Sequence, residues 1–297
     1  MKTQTQQDYY ERVLRVLVYI QQHLDETIEL DDLAGVAHFS PYHFHRIFRG
    51  MVGESVKEHV RRLRLERAAL RLKSSDRPIT RIAFEAGFEA HESFTRAFGE
   101  LFGMSPSKFR EARRAAAFPA TASAVHYVAN GQIDRFTPVK KEQAMDVRIE
   151  DVVPMRVAFV RHVGPYVQVG QAWSKLMGWA WPRGLVGPAA KMFGVCHDDP
   201  EITPPERLRY DACIPVADQV EPQGEIGVQT IAGGAYAVTT HRGPYEKLGE
   251  TYARLCGEWV PASGRELRAA PCLELYRNNP QTTPPDELLT DIYMPVE

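Results

Sequence analysis

Residues 78–109 read PITRIAFEAGFEAHESFTRAFGELFGMSPSKF. Ile79, Ile82, Ala83 and Ala86 recur at i, i+3, i+4 and i+7 and make one apolar helical face. Pro78 can open that helix because the first turn has no intrahelical use for its N–H. Gly87 breaks it. A second helix follows, with Phe94, Ala97, Phe98 and Leu101 at the same spacing and His91, Glu92, Thr95 and Arg96 on its other face. Two short helices joined at a glycine read as a helix-turn-helix, whose second helix can lie in a DNA major groove.

The same unit occurs about fifty residues earlier. Leu30, Leu33, Ala34 and Ala37 repeat the first face; Phe44, Ile47, Phe48 and Met51 repeat the second. Phe39 matches Phe88, Arg46 matches Arg96, Gly53 matches Gly103 and Ser55 matches Ser105, with one extra residue in the later turn. The first recognition helix, capped by Ser40-Pro41, is expected to present Tyr42, His45 and Arg46 outward. An arginine there suits guanine O6/N7 or a phosphate, and Tyr42 a thymine methyl or the backbone. The alternative for all of these residues is a solvated helix face.

A preceding helix from about Asp8 to His23 carries Val13, Val16, Leu17, Ile20 and Leu24 on one face. Ser55 and Glu58 fit a capping box that opens a long helix to about Leu72, a rigid connector with polar positions rich in arginine. Recognition helices that read one face of straight DNA must sit about 34 Å apart. A closer spacing requires bent DNA, at of order 1–6 kcal/mol. Tandem units with this spacing, closed by Gly103, Ser105, Pro106, Phe109 and Arg110, resemble the AraC family of bacterial transcription regulators over residues 8–113. The resemblance implies that Ser40, Tyr42, His45, Arg46, His91, Glu92, Thr95 and Arg96 face double-stranded DNA.

The chain's 297 residues favour two domains. The net charge of −2 divides unevenly: residues 1–115 are slightly basic and the remainder acidic, as phosphate binding by the first half requires. Four cysteines without C-x-x-C spacing read as buried thiols. No run of 18 apolar residues suggests a membrane span, and the first ten residues lack a signal-peptide core, so a cytoplasmic protein is expected. No motif points to a metal or cofactor. Periodicity is lost over residues 116–145, which read as a linker with a short strand near Val125–Val128.

The remainder, 146–297, is again a repeat, with a period of about eighty residues. His162-x-Gly164-Pro165-Tyr166 returns as His241-x-Gly243-Pro244-Tyr245, Trp173 pairs with Tyr252, and DPEITPPERLRYDACIPV (199–216) with NPQTTPPDELLTDIYMPV (279–296). Each unit reads as strand, G-P-Y turn, helix, strand, T-P-P loop, strand. An α+β domain is expected, with the two units as pseudo-two-fold halves around a groove. In the strand Cys272–Tyr276, period two puts Cys272, Glu274 and Tyr276 on one face and Leu273 and Leu275 on the other. The leucines are expected against the helices and Glu274 in the groove; Gly194 is its counterpart in the first unit. Most of the tryptophans are expected in the core, with Trp173 and Tyr166 nearest the groove. The two turn histidines are expected to brace the turns.

From the residues alone, Glu274 is either an exposed or hydrogen-bonded strand residue or the acid of a cation site. This half resembles the GyrI-like, or SHS2-pair, effector-binding domain. With an AraC-type half in front of it, the order is similar to the right-origin-binding protein subfamily. The resemblance implies a small, often cationic and amphiphilic effector held by Glu274, Tyr276, Tyr166 and Trp173. It also implies a second reading, a hydrolase of electrophilic toxins using Glu274 and Tyr276. A third reading is that this half has lost its ligand and only brings in a partner such as RNA polymerase.

Overall fold

A computed structural model describes residues 4–112, 117–187 and 190–297. The chain forms two compact units, residues 4–141 and 142–297.

In the first unit, helix α1 (Gln4–Gln22) buries Val13, Val16, Leu17 and Ile20 as its periodicity requires. The first helix-turn-helix is α2 (Leu30–Ala37) and α3 (Pro41–Val52). The second is α5 (Ile79–Glu85) and α6 (His91–Phe102), joined to the first by α4 (Val56–Ser74) and closed by α7 (Pro106–Glu111). The Ser40 hydroxyl accepts the His43 N–H, and Ser55 and Glu58 exchange both hydrogen bonds of the capping box. The two turns solve the same left-handed step differently. Gly87 takes it with Arg64 packed so close that a Cβ would lie 2.8 Å from the guanidinium. His38 takes it at φ +54, a region that histidine enters more readily than most residues.

Of the α4 arginines, Arg61 alone is exposed. Arg62 and Arg67 are buried. Arg67 reaches Asp25 and the Glu85 carbonyl, while Arg64 holds the Leu24 and Glu26 carbonyls. These cations tie the helices together.

Residues 117–141 also depart from the expected linker. They form neither helix nor strand, including at 125–128, yet they bury Ser123, Val125 and Phe136 and belong to the helical unit.

The second unit is an eight-stranded antiparallel sheet of β1 (Arg148–Val152), β2 (Met155–Val163), β3 (Phe193–Cys196), β4 (Arg209–Pro215), β5 (Gly227–Ile231), β6 (Gly234–Arg242), β7 (Cys272–Tyr276) and β8 (Leu289–Pro295). Helices α8 (Gly170–Ala180) and α9 (Leu248–Arg254) follow the G-P-Y turns of β2 and β6. The spatial order, β1-β6-β8-β7-β3-β4-β2-β5, reads symmetrically about the β7–β3 pair. Each repeat also lends its leading strand to the other: β1 pairs with β6, and β5 with β2. At the centre Gly194 lies directly opposite Glu274. The sequence repeat maps this pair onto itself, so the acid sits on the local two-fold.

The leucine face corrects the expectation. Leu273 and Leu275 pack with Val157, Phe193, Ile231, Tyr236 and Tyr293, all from strands. Ile231 and Tyr236 come from strands near opposite ends of the sheet, so the sheet curls and closes this face on itself. The helices cover the other face, where Leu176 meets Ala158, Tyr210 and Ala212. Glu274 therefore opens toward the helices.

Candidate functional site

The two recognition helices hold their predicted residues in different surroundings. On α6, Arg96 and Glu92 are exposed, and His91 and Thr95 are half-buried. On α3, Ser40 is exposed and serves as the cap, and Tyr42 is half-buried. His45 and Arg46 are buried, Arg46 with only 6% of its surface exposed, which overturns the expectation that they point outward. The Arg46 guanidinium folds back over the Tyr42 ring, 4.4 Å from its centroid, an arrangement that a cation and an aromatic face favour. Beside it, burial and then the Arg46 charge pull His43 down to about 4.

In the second unit the predicted residues come together. Glu274 is only 7% exposed. Its Oε2 accepts the Tyr276 hydroxyl at 2.7 Å and its Oε1 the Tyr252 hydroxyl at 3.0 Å. Because Tyr276 donates to the carboxylate, the 2.8 Å contact between the Tyr210 and Tyr276 hydroxyls runs from Tyr210 to Tyr276. Trp173 Nε1 donates in turn to Tyr210 at 3.1 Å. A directional chain of donors thus ends on one carboxylate. Burial, reinforced by the Glu274 charge, drives the Tyr210 and Tyr276 phenols well above their usual range, so both remain donors. The same two causes, in the same order, raise Tyr245.

Aromatic edges complete the site. Trp173 and Tyr245 meet the Tyr276 ring edge-on at 5.9 and 5.6 Å. Tyr166 meets Tyr210 at 6.0 Å and spends its hydroxyl on the Asp198 carbonyl. Among the described residues, the hydrogen-bond partners of Glu274 are two phenols, neither a lysine nor an arginine. Gly194 makes room for the chain, since a Cβ there would lie 2.5 Å from the Tyr210 hydroxyl and 2.7 Å from that of Tyr276.

The sequence reading missed Tyr210, Tyr245 and Tyr252. Repeat alignment carried a signal for two of them, because Tyr245 matches Tyr166 and Tyr252 matches Trp173. Tyr210 had none, since its counterpart is Thr290. His162 and His241 do brace their turns, through the Pro165 and Pro244 carbonyls at 3.1 and 3.2 Å. No tryptophan is fully buried: Trp173 and Trp179 pack half-buried against the core on the helix-covered face, Trp259 is half-buried, and Trp181 stands in solvent, so the tryptophans flank the core where they were expected to fill it. All four cysteines are buried free thiols.

Comparison with known proteins places both halves. Residues 145–297 match the GyrI-like small molecule binding domain, and residues 33–112 match a helix-turn-helix domain. The chain belongs to the GyrI-like family. Together the two halves make it an AraC-type DNA-binding transcription regulator with a GyrI-like domain. It is 33% identical over 156 residues to the probable transcriptional regulator YgiV of Escherichia coli K12, covering 51% of this chain and 96% of that protein. It is 33% identical over 103 residues to the right origin-binding protein of the same strain, covering 35% of this chain and 36% of that one. The crystal structure of the EcmrR C-terminal domain aligns at a TM-score of 0.42 and 22% identity, over 52% of this chain and 99% of that one. No helix among the described residues is long and apolar enough to cross a membrane.

Proposed function

We propose that the GyrI-like domain is the sensor of this regulator and binds a small cationic amphiphile at Glu274. One observation carries the reading: a nearly buried carboxylate whose hydrogen-bond partners, among the described residues, are two phenols and no cation. Phenols stabilise the charge without neutralising it, and a buried charge is costly until it is paired. A guest cation supplies the pairing, and Trp173, Tyr245 and Tyr276 offer it ring surfaces. Tyr166 and Trp173 form the rim on the side of the first repeat. For binding to alter transcription, the guest must favour one state of the protein over another.

A second reading rests on the Tyr276–Glu274 hydrogen bond at 2.7 Å. A phenol donor beside a carboxylate can serve as acid and base in hydrolysis of an electrophile. Docking of RNA polymerase is a third reading, without a charged ligand.

A thermal-shift titration with tetraphenylphosphonium, a neutral isostere and a panel of epoxide electrophiles, on the wild type and Glu274→Gln, with the recovered compounds weighed by mass spectrometry, tests the three together. The sensor reading expects a shift for the cation alone that the variant loses. Electrophiles recovered heavier by one water would give hydrolysis the lead. No shift with any compound would leave the docking module.

A further inference from the structure

Residues 121–139 lie outside both matched family regions, and the sequence reads them as a linker. They are built onto α1, α4 and the end of α3. The Gln21 side chain of α1 clasps them twice, donating to the His126 carbonyl at 2.7 Å and accepting the Val128 N–H at 3.2 Å. Glu66 of α4, fully buried, accepts the Tyr127 N–H at 2.7 Å and meets His126 Nδ1 at 3.0 Å. Arg62 bridges Glu66 to the Val125 carbonyl at 3.0 Å. Phe136 stacks flat on Tyr10 of α1, with ring centroids 4.6 Å apart, and donates its N–H to the Tyr10 hydroxyl. The Thr137 N–H closes the segment on itself at the Ser123 carbonyl. Finally, the Val139 N–H reaches the Met51 carbonyl at 2.8 Å. That carbonyl is one of those that the end of α3 leaves without an intrahelical partner.

The second helix-turn-helix supplies an internal control. Gly53 and Gly103 occupy the same register, each ending its recognition helix in the left-handed region, at φ +87 and +70. A Cβ on Gly53 would lie 2.9 Å from Val139 Cγ2 and 3.0 Å from Ala122 Cβ; one on Gly103 would meet nothing within 4 Å. The segment covers the end of α3 and leaves the equivalent end of α6 open. We propose that residues 121–139 are a strap that positions the first recognition helix, and that Phe136, Val139 and Gly53 are positioning residues for DNA reading by α3. The DNA-binding unit therefore extends about thirty residues past α7. The strap's last anchor, Val139, leaves only residues 140–144 before the GyrI-like region begins.

The test uses the full chain and a DNA site selected by the wild type, with the half-box read by α6 identified as the one whose protection Arg96→Ala removes. Gly53→Ala and Gly103→Ala carry the same left-handed strain, but only the first pushes on the strap. Val139→Pro removes the N–H to Met51, and Val139→Ile keeps it. We expect Gly53→Ala and Val139→Pro to speed hydrogen exchange at least tenfold in 121–139 and the last turn of α3. Protection of the α3 half-box should fall at least fivefold, with the α6 half-box unchanged and Val139→Ile like the wild type. Equal loss at both half-boxes would overturn the proposal, as would a loosened strap with the α3 half-box still protected. So would Gly103→Ala matching Gly53→Ala. If Gly53→Ala fails to fold, Val139→Pro against Val139→Ile carries the same comparison.

Discussion

The sheet of the GyrI-like domain reads the same from either edge, and its site does not. Strand for strand the repeats superpose in order and pairing, down to a central pair that the repeat maps onto itself. The side chains on that frame have diverged. Gly194 faces Glu274, Cys196 answers Tyr276, and Thr290 answers Tyr210. On a two-fold, two acids would face each other and repel; one acid and one glycine leave a single charge and space for hydroxyls to approach it. The symmetric frame supplies rigidity and the broken symmetry supplies the site.

That contrast is open to attack at several points. The largest effect belongs to Gly194→Ala. Its Cβ intrudes on the Tyr210 and Tyr276 hydroxyls and should cost about 3 kcal/mol of stability by urea unfolding. An unchanged midpoint would mean that the hydroxyl chain has room to spare. Next comes Glu274→Gln, expected to weaken tetraphenylphosphonium about thirtyfold, about 2 kcal/mol, while leaving a neutral isostere alone. Equal losses for both compounds would show that shape, not charge, is read.

Below these lie the paired aspartates Asp211 and Asp291, which hold the repeats by equivalent but chemically different clamps. Burial pushes both carboxyls up. Hydrogen bonds from Arg161, His197 and Gln229 outweigh it at Asp211, and those from Thr240, Arg277 and Arg148 at Asp291, so both end below the usual 3.8. A depressed folded value means that the stability they contribute is present above about 4 and is lost as pH falls below that. Asp211→Asn and Asp291→Asn should each cost about 1.5 kcal/mol at pH 7 and less at pH 2.5, where part of the contribution is already lost, read from urea midpoints at the two pH values. The smallest expected effect is that of Tyr276→Phe against Tyr252→Phe. Each removes one donor to Glu274, worth about 1 kcal/mol of cation affinity in calorimetry. Tyr276→Phe should lose more, because the Tyr210 hydroxyl is then stranded as well.

Much of this was legible because both domains are repeats. Phe44 and Phe48 against Phe94 and Phe98 fixed the helical register, and all four are buried as their spacing requires. Glu274 stood out as a lone acid against Gly194. The failures share one physical origin. Period two assigns Leu273 and Leu275 to one face without saying what will cover it, and a curled sheet covers that face with its own strands. Helical period marks Arg46, Arg62 and Arg67 as polar without showing that an aromatic face, the buried Glu66 or the Asp25 carboxylate waits for them. Residues 117–141 have no period at all, since their order comes from side chains on α1 and α4.

By itself, then, the sequence determined the two tandem units, their recognition helices, the pseudo-symmetric second half and its single acid. All of these are written in local spacing, which sets how backbone dihedrals present side chains. Tertiary structure alone decided the exchange of β1 and β5 between repeats, the convergence of Tyr210 and Tyr252 on Glu274, the burial of Arg46 and the seating of residues 121–139. Each of these depends on which distant surface fills a face, and that is settled by packing of the whole chain, where no local pattern records the partner.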